Sequence, residues 1–171
     1  MKIAIITAGN VGGTLGTRWV QKGHPVVFGV KNPQDDKVRA LVAKAPGTRA
    51  AVVVDAAAGS EVLVLSAPWE AAQEAIRSMA NVVGKIVVDA TNPVAMEAGL
   101  SLGLLIGHTT SAAEAIAEWT TGARVIKAFN ITGWPNMADP NYGGRKAAML
   151  WIPLAFARGW GVNFAYRIRK R

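Results

Sequence analysis

Six short apolar runs recur along the chain, at Lys2–Ile6, Val26–Val30, Ala50–Val54, Glu61–Ser66, Lys85–Ala90 and Ala123–Phe129. Each predicts a strand. Pro68 closes the fourth, and Asn92-Pro93 closes the fifth. Between the runs the pattern changes period. Val11, Leu15 and Trp19 recur at helical spacing until Gly23. Pro33 and the acids Asp35-Asp36 open a second helix that reaches about Lys44. Trp69–Met79 is a third, and the capping box Ser111-Ala-Ala-Glu114 opens a fourth that ends near Trp119. Strands alternating with helices in this rhythm specify an α/β fold, a doubly wound parallel sheet. Pro135–Lys146 reads as a polar, glycine-rich loop. A final helical segment is predicted from Ala147, carrying Trp151, Leu154 and Trp160. The organisation expected is therefore residues 1–145 as one doubly wound domain. Residues 146–171 form a C-terminal helical segment with a basic tail, packed on that domain or used for dimerisation.

At 171 residues the chain suffices for one domain with a sizeable core. Half of it is hydrophobic, with Ala, Val and Gly dominant, which suits a parallel sheet covered on both faces. The absence of cysteine excludes disulfides, thiol catalysis and cysteine-ligated metals. With two histidines, His24 and His108, a zinc site is not expected and no metal ligands are assigned. Only 18% of residues are charged, yet the net charge is +8, partly from Arg167, Arg169, Lys170 and Arg171. Such a balance favours anionic partners. No nucleic-acid-binding motif accompanies it, so a cofactor site plus a solvated tail is preferred over nucleic acid. The N-terminus lacks a signal-peptide pattern. The apolar run Ala147–Ala157 contains Pro153 and is too short to span a bilayer. A cytoplasmic protein without membrane contact is expected.

The first strand leads into Thr7-Ala8-Gly9-Asn10-Val11-Gly12 and then into the first helix. This is the context of a Rossmann phosphate loop, where a strand, a glycine turn and a helix N-terminus face a pyrophosphate. Gly9 lets the backbone approach the phosphates, and Gly12 lets the helix pack close to the strand. The first fingerprint position is Thr7, a departure that strains the turn. A purely structural glycine turn is the competing reading. The second strand ends Phe28-Gly29-Val30-Lys31-Asn32-Pro33, without the acid that binds NAD ribose hydroxyls. Lys31 offers a cation for a 2′-phosphate, so NADP is favoured; otherwise it is a surface lysine.

These stretches, with Gly23-His24, Ala67-Pro-Trp-Glu-Ala71, Asp89-Ala-Thr-Asn-Pro93, Ser111-Ala-Ala-Glu114, Lys127-Ala-Phe-Asn130, Asn136-Met-Ala-Asp-Pro-Asn-Tyr-Gly-Gly-Arg145 and Met149-Leu-Trp151, cover nearly the whole chain. Together they resemble the NADP-dependent reductases of the deazaflavin coenzyme F420 and the dinucleotide-binding oxidoreductases around them. The resemblance implies cofactor contacts at Gly9, Asn10, Val11, Gly12, Lys31, Ser66, Ala67, Pro68 and Asn130. Thr7 and Ala8 join them in the loop, and Val30 joins them beside Lys31. The resemblance implies hydride transfer between NADPH and the deazaflavin or a related acceptor, which depends on stacked rings more than on an acid or base. No catalytic residue is assigned. Three departures from the family pattern stand out. Thr7-Ala8 replaces Gly-Thr, Val30 replaces a small hydroxyl residue, and a strand–helix–strand stretch after Lys146 is missing. The alternative is thus a dinucleotide-binding module with little turnover, or one that needs a partner subunit to complete its site.

Four other residues carry open readings. Asn92 holds the nicotinamide side or caps the turn before Pro93. Trp69 covers the adenine or opens a helix onto the core. His108 donates a hydrogen bond to a substrate or is a loop residue, the reading preferred, and His24 reads as a turn residue. Trp151 and Trp160 read as packing whose cover, after the deletion, comes from a second copy; a homodimer through the C-terminal helix follows.

Overall fold

The computed structural model describes residues 1–96, 102–106 and 109–153. The chain runs β1 (Ile3–Ile6), α1 (Asn10–Gln21), β2 (Val26–Val30), α2 (Asp36–Lys44), β3 (Thr48–Val52), α3 (Val53–Ala58), β4 (Val62–Leu65), α4 (Trp69–Ser78) and β5 (Ile86–Asp89). It continues through β6 (Val94–Met96), β7 (Leu102–Leu104), α5 (Ala112–Trp119), β8 (Arg124–Ala128) and α6 (Trp134–Ala138). The last described elements are β9 (Asn141–Tyr142), β10 (Arg145–Lys146) and β11 (Trp151–Pro153).

The main sheet has the order β11-β8-β5-β4-β1-β2-β3. Its first six strands in sequence are parallel, and β11 runs antiparallel to β8. β1 lies at the centre: Ile3 faces Val26 of β2 on one side and Val62 of β4 on the other. Every residue of β1, β2 and β4 is buried, as a strand covered on both faces requires. Alternate residues divide between two cores. Ile3, Ile5, Val62 and Val64 pack with Leu15 of α1 and Val38 of α2. Ala4, Ile6, Leu63 and Leu65 pack with Ala57 of α3, Ile76 of α4 and Ile116 of α5. This two-sided burial is the doubly wound Rossmann arrangement predicted from the alternation of strands and helices. Each large apolar side chain so buried contributes about 1.5–3 kcal/mol.

Local signals explain the helix starts. The Asp35 side chain accepts from the Lys37 amide at 2.9 Å and caps α2. Ser111 accepts from the Glu114 amide at 3.2 Å, while the Ser111 amide donates back to Glu114 at 2.7 Å, completing the capping box of α5.

Three expectations need correction. The third strand is Thr48–Val52, and Val53–Ala58 turns into α3. Tertiary packing overrides the β-propensity of Val53 and Val54. Ala56 lies against Gly29 of β2, where a Cβ on that glycine would sit 3.1 Å away. The stretch 135–146 is not all loop. Most of α6 falls in it, as does a hairpin of β9 and β10 whose Gly143-Gly144 both take positive φ, +52° and +84°. Residues 147–153 are not helical, so the expected C-terminal helix is absent there. Instead β11 pairs with β8, Trp151 opposite Ala128, and occupies the open edge of that strand. Pro153, which has no N–H, is tolerated in such an edge strand. Leu154, Trp160 and the basic tail lie outside the described residues, as does His108. Among the described residues, no helix is long and apolar enough to cross a membrane.

A buried ion pair ties the carboxyl ends of β5 and β8. Asp89, fully buried, lies in register with Lys127, and the Lys127 Nζ donates to its Oδ2 at 2.9 Å. Lys127 also donates to the Thr91 carbonyl. The amide and hydroxyl of Thr91 donate to the Asp89 Oδ1 at 2.8 and 2.7 Å. Both carboxylate oxygens are thus occupied, the condition under which a buried charge is tolerated. Lys127→Met strands the Asp89 charge. Denaturant unfolding should show a loss of about 3–5 kcal/mol, much of it recovered in the double variant Asp89→Asn/Lys127→Met. A loss below about 1 kcal/mol in the single variant would show that the pair is not an energetic cross-link.

Candidate cofactor site

The sheet order reverses at β1, whose neighbours β2 and β4 continue to opposite sides of the fold. In open α/β sheets a crevice forms at that point, beyond the carboxyl ends of the strands. The loop after β1 supplies its floor. Thr7 donates its amide to the Gly29 carbonyl at 2.9 Å and adopts φ +77°. Glycine takes this left-handed conformation freely, whereas a β-branched residue pays about 1–2 kcal/mol. The Thr7 hydroxyl lies 3.3 Å from the Ser66 hydroxyl, which donates to the Ile6 carbonyl at 3.2 Å. A short hydroxyl chain therefore braces the strained turn against β4.

Gly9 is the N-cap of α1. No side chain caps this end of the helix, and no acid lies in its first turn. The amides of the first turn thus retain their donor capacity, and the helix dipole adds positive potential. A Cβ built on Gly9 meets nothing within 4 Å, so the loop presents an open face. The opposite holds at Gly12. A Cβ there would sit 2.5 Å from the Ser66 Oγ, 2.7 Å from the Thr7 carbonyl oxygen and 2.8 Å from the Ile5 Cγ2. Any side chain would lift α1 off the sheet. An open backbone cradle followed by a close helix–strand contact is what a pyrophosphate requires, and these residues fit a dinucleotide.

The remaining predicted site residues lie along the same edge. Val30 ends β2 and is buried, 8% exposed. Lys31 follows in solvent, and its Nζ donates to the Glu74 Oε1 of α4 at 2.7 Å. That hydrogen bond and the Lys31 charge hold the Glu74 carboxyl below its ordinary range. Ser66, Ala67 and Pro68 follow β4, Ala67 buried and Pro68 capping α4. Asn92 follows β5 and donates from Nδ2 to the Asn130 carbonyl beyond β8 at 3.4 Å. Phe129, at φ +64° just before Asn130, packs its ring edge-on to Trp19 of α1 at 5.7 Å. In sheet order the edge reads Val30–Lys31, Thr7–Gly12, Ser66–Pro68, Asn92, Asn130. All thirteen predicted positions share it.

Two open readings resolve toward structure. Trp69 packs against Trp119 at 5.4 Å and borders the core. His24 donates its amide to the Trp19 carbonyl and belongs to the turn after α1. The sequence reading missed Glu74, which no local pattern links to Lys31. It also missed a groove of about 550 Å³ beside the phosphate loop, where Asn10, Arg18, Lys37, Lys44 and Trp134 meet. Among the described residues, no cluster of His, Asp and Glu suits a metal.

The family model for NADP oxidoreductase, coenzyme F420-dependent, matches residues 2–93, more than half of the chain. Metalloreductase STEAP3 of Rattus norvegicus is 30% identical over 147 residues, covering 85% of this chain and 28% of that protein's length. A crystal structure assigned as an F420-dependent NADP reductase of Arthrobacter sp. FB24 superposes with TM-score 0.78 at 29% identity, covering 84% of this chain and 70% of that one. A reductive aminase of Aspergillus terreus, solved with NADPH and ethyl levulinate, shares the fold at TM-score 0.63 and 20% identity, over 88% of this chain and 46% of that one. With the family model matched over residues 2–93, this chain belongs to the coenzyme F420-dependent NADP oxidoreductase family.

Proposed function

We propose that the protein transfers a hydride between NADPH and a deazaflavin or a related redox acceptor. The observation that carries this reading is the uncapped, acid-free N-terminus of α1 behind an open Gly9, with Lys31 at the end of β2. The amides from Gly9 to Gly12 hold the pyrophosphate, and Lys31 holds the 2′-phosphate. Ser66, Ala67, Pro68, Asn92 and Asn130 border the nicotinamide half. When bound, NADPH supplies the hydride. Asp89 and Lys127 hold each other in a buried ion pair, so the chain's part at this end is to position the reacting rings. NADPH oxidation with and without deazaflavin tests the reading; no acceleration by deazaflavin would overturn deazaflavin as the acceptor, and no NADPH oxidation with any flavin-like acceptor would overturn hydride transfer.

A second reading is a dinucleotide-binding module that turns over little or needs a partner. It follows from the strand–helix–strand stretch of the family pattern that is missing after Lys146. Cofactor binding without turnover in the same assay identifies it. We also propose that two copies associate through the region of β11, where Leu150 and Trp151 are 42% and 62% exposed. A monomer by light scattering at micromolar concentration would overturn this.

NADP should bind about tenfold more tightly than NAD, the lower end for a charge-assisted contact at an exposed site. Calorimetry with both cofactors measures the ratio, and Lys31→Ala should erase most of it. Equal affinities in the unaltered protein would sink the assignment of Lys31.

Thr7→Gly relieves about 1 kcal/mol of backbone strain and removes a methyl group from beside the phosphate loop. The expected result is a lower NADP dissociation constant together with a higher melting temperature. A dissociation constant that stays level or rises would mean that the hydroxyl bridge to Ser66 outweighs the strain.

A further inference from the structure

Lys31 and Glu74 stand on opposite walls of the crevice. Lys31 follows β2. Glu74 lies on α4, which follows β4, and β2 and β4 are the two neighbours of β1. Their contact at 2.7 Å therefore links the two flanks of the switch point. The sequence lacks the acid that NAD-selective sites carry at the end of the second strand. The fold nevertheless brings a carboxylate to that place, from a helix 43 positions further along. The two side chains are 81% and 64% exposed, so water screens the pair and either partner is free to exchange. A phosphate carries more charge than a carboxylate and is the stronger partner for the same ammonium.

We propose that Glu74 is a specificity-determining residue of the cofactor site, an anion that competes with the cofactor's 2′-phosphate for Lys31 and so narrows the preference for NADP over NAD. The inference rests on the reading of Lys31 as the phosphate's partner. NADP binding replaces the Glu74–Lys31 contact and leaves a carboxylate beside a phosphate. NAD brings no phosphate and leaves the contact intact. Glu74 is exposed, and an exposed carboxylate is ionised at neutral pH with or without the Lys31 contact, as competition requires. Removing its charge therefore acts on one cofactor and not on the other.

Calorimetric titration of the full chain with NADP, NAD and 2′,5′-ADP separates the possibilities. Glu74→Gln should tighten NADP and 2′,5′-ADP by about three- to tenfold and leave NAD within about twofold. An unchanged melting curve is expected, because Glu74 is exposed. Unaltered NADP affinity overturns the proposal. So does equal tightening of NADP and NAD, which would point to a widened crevice instead of selectivity. In a Lys31→Ala background the same substitution should lose most of its effect; a full effect there would overturn competition for Lys31. If Lys31→Ala alone leaves the NADP-to-NAD ratio unchanged, the phosphate reading itself fails, whatever Glu74→Gln does.

Discussion

The contact of α1 with the sheet at Gly12 sets the geometry on which the rest of the site depends. With no side chain there, the helix begins directly against Ser66 of β4's exit and Ile5 of β1. Its unpaired amides consequently open into the crevice between the strands flanking β1. A methyl group at this one position would have to displace backbone at 2.7 Å, which no rotamer change relieves. The strain at Thr7 belongs to the same constraint. The chain must leave β1 and enter α1 in very few residues, so a left-handed residue is demanded whether or not glycine supplies it. Burial of β1 on both faces leaves the turn no room to relax.

Strain recurs at the other end of the edge. Thr7 and Phe129 are two of the three described non-glycine residues with positive φ, and both sit immediately before predicted site positions. Each is held by a contact from outside its own strand, the Ser66 hydroxyl for Thr7 and the Trp19 ring for Phe129. Such conformations persist only where the surroundings over-determine them. Here the surroundings are elements of the site itself, so fold and site are stabilised by the same contacts.

Much of this was legible in the sequence, because the signals involved are local or periodic. Continuous apolar runs marked the strands buried on both faces, and Ser111 with Glu114 marked a helix start. Gly9 and Gly12 after the first run marked the loop, and the departure at Thr7 marked where strain would lie. What escaped depended on contacts between distant segments. Val53 and Val54 extend an apolar run, yet packing of Ala56 on Gly29 makes them the start of a helix. Trp151 and Ile152 carry a helix-like apolar pattern, yet the open edge of β8 takes that stretch as a strand. The partnership of Lys31 with Glu74 follows from the order of strands around β1, which no window of sequence contains.

That order also divides the work of the edge. On the β2 side the charges are exposed and exchangeable, and Lys31 has only a solvated carboxylate to leave. On the β5 and β8 side the charges are buried and locked, with Lys127 14% exposed and Asp89 fully enclosed. An exposed pair yields readily to an incoming phosphate, because little desolvation or packing opposes the exchange. A buried pair does not yield, because separating it leaves an uncompensated charge in a low dielectric. The same fold thus places adaptable electrostatics at the end of β2 and rigid electrostatics beside Asn92 and Asn130. The proposed hydride transfer would draw on this division, since recognition tolerates small movements that ring-to-ring transfer does not.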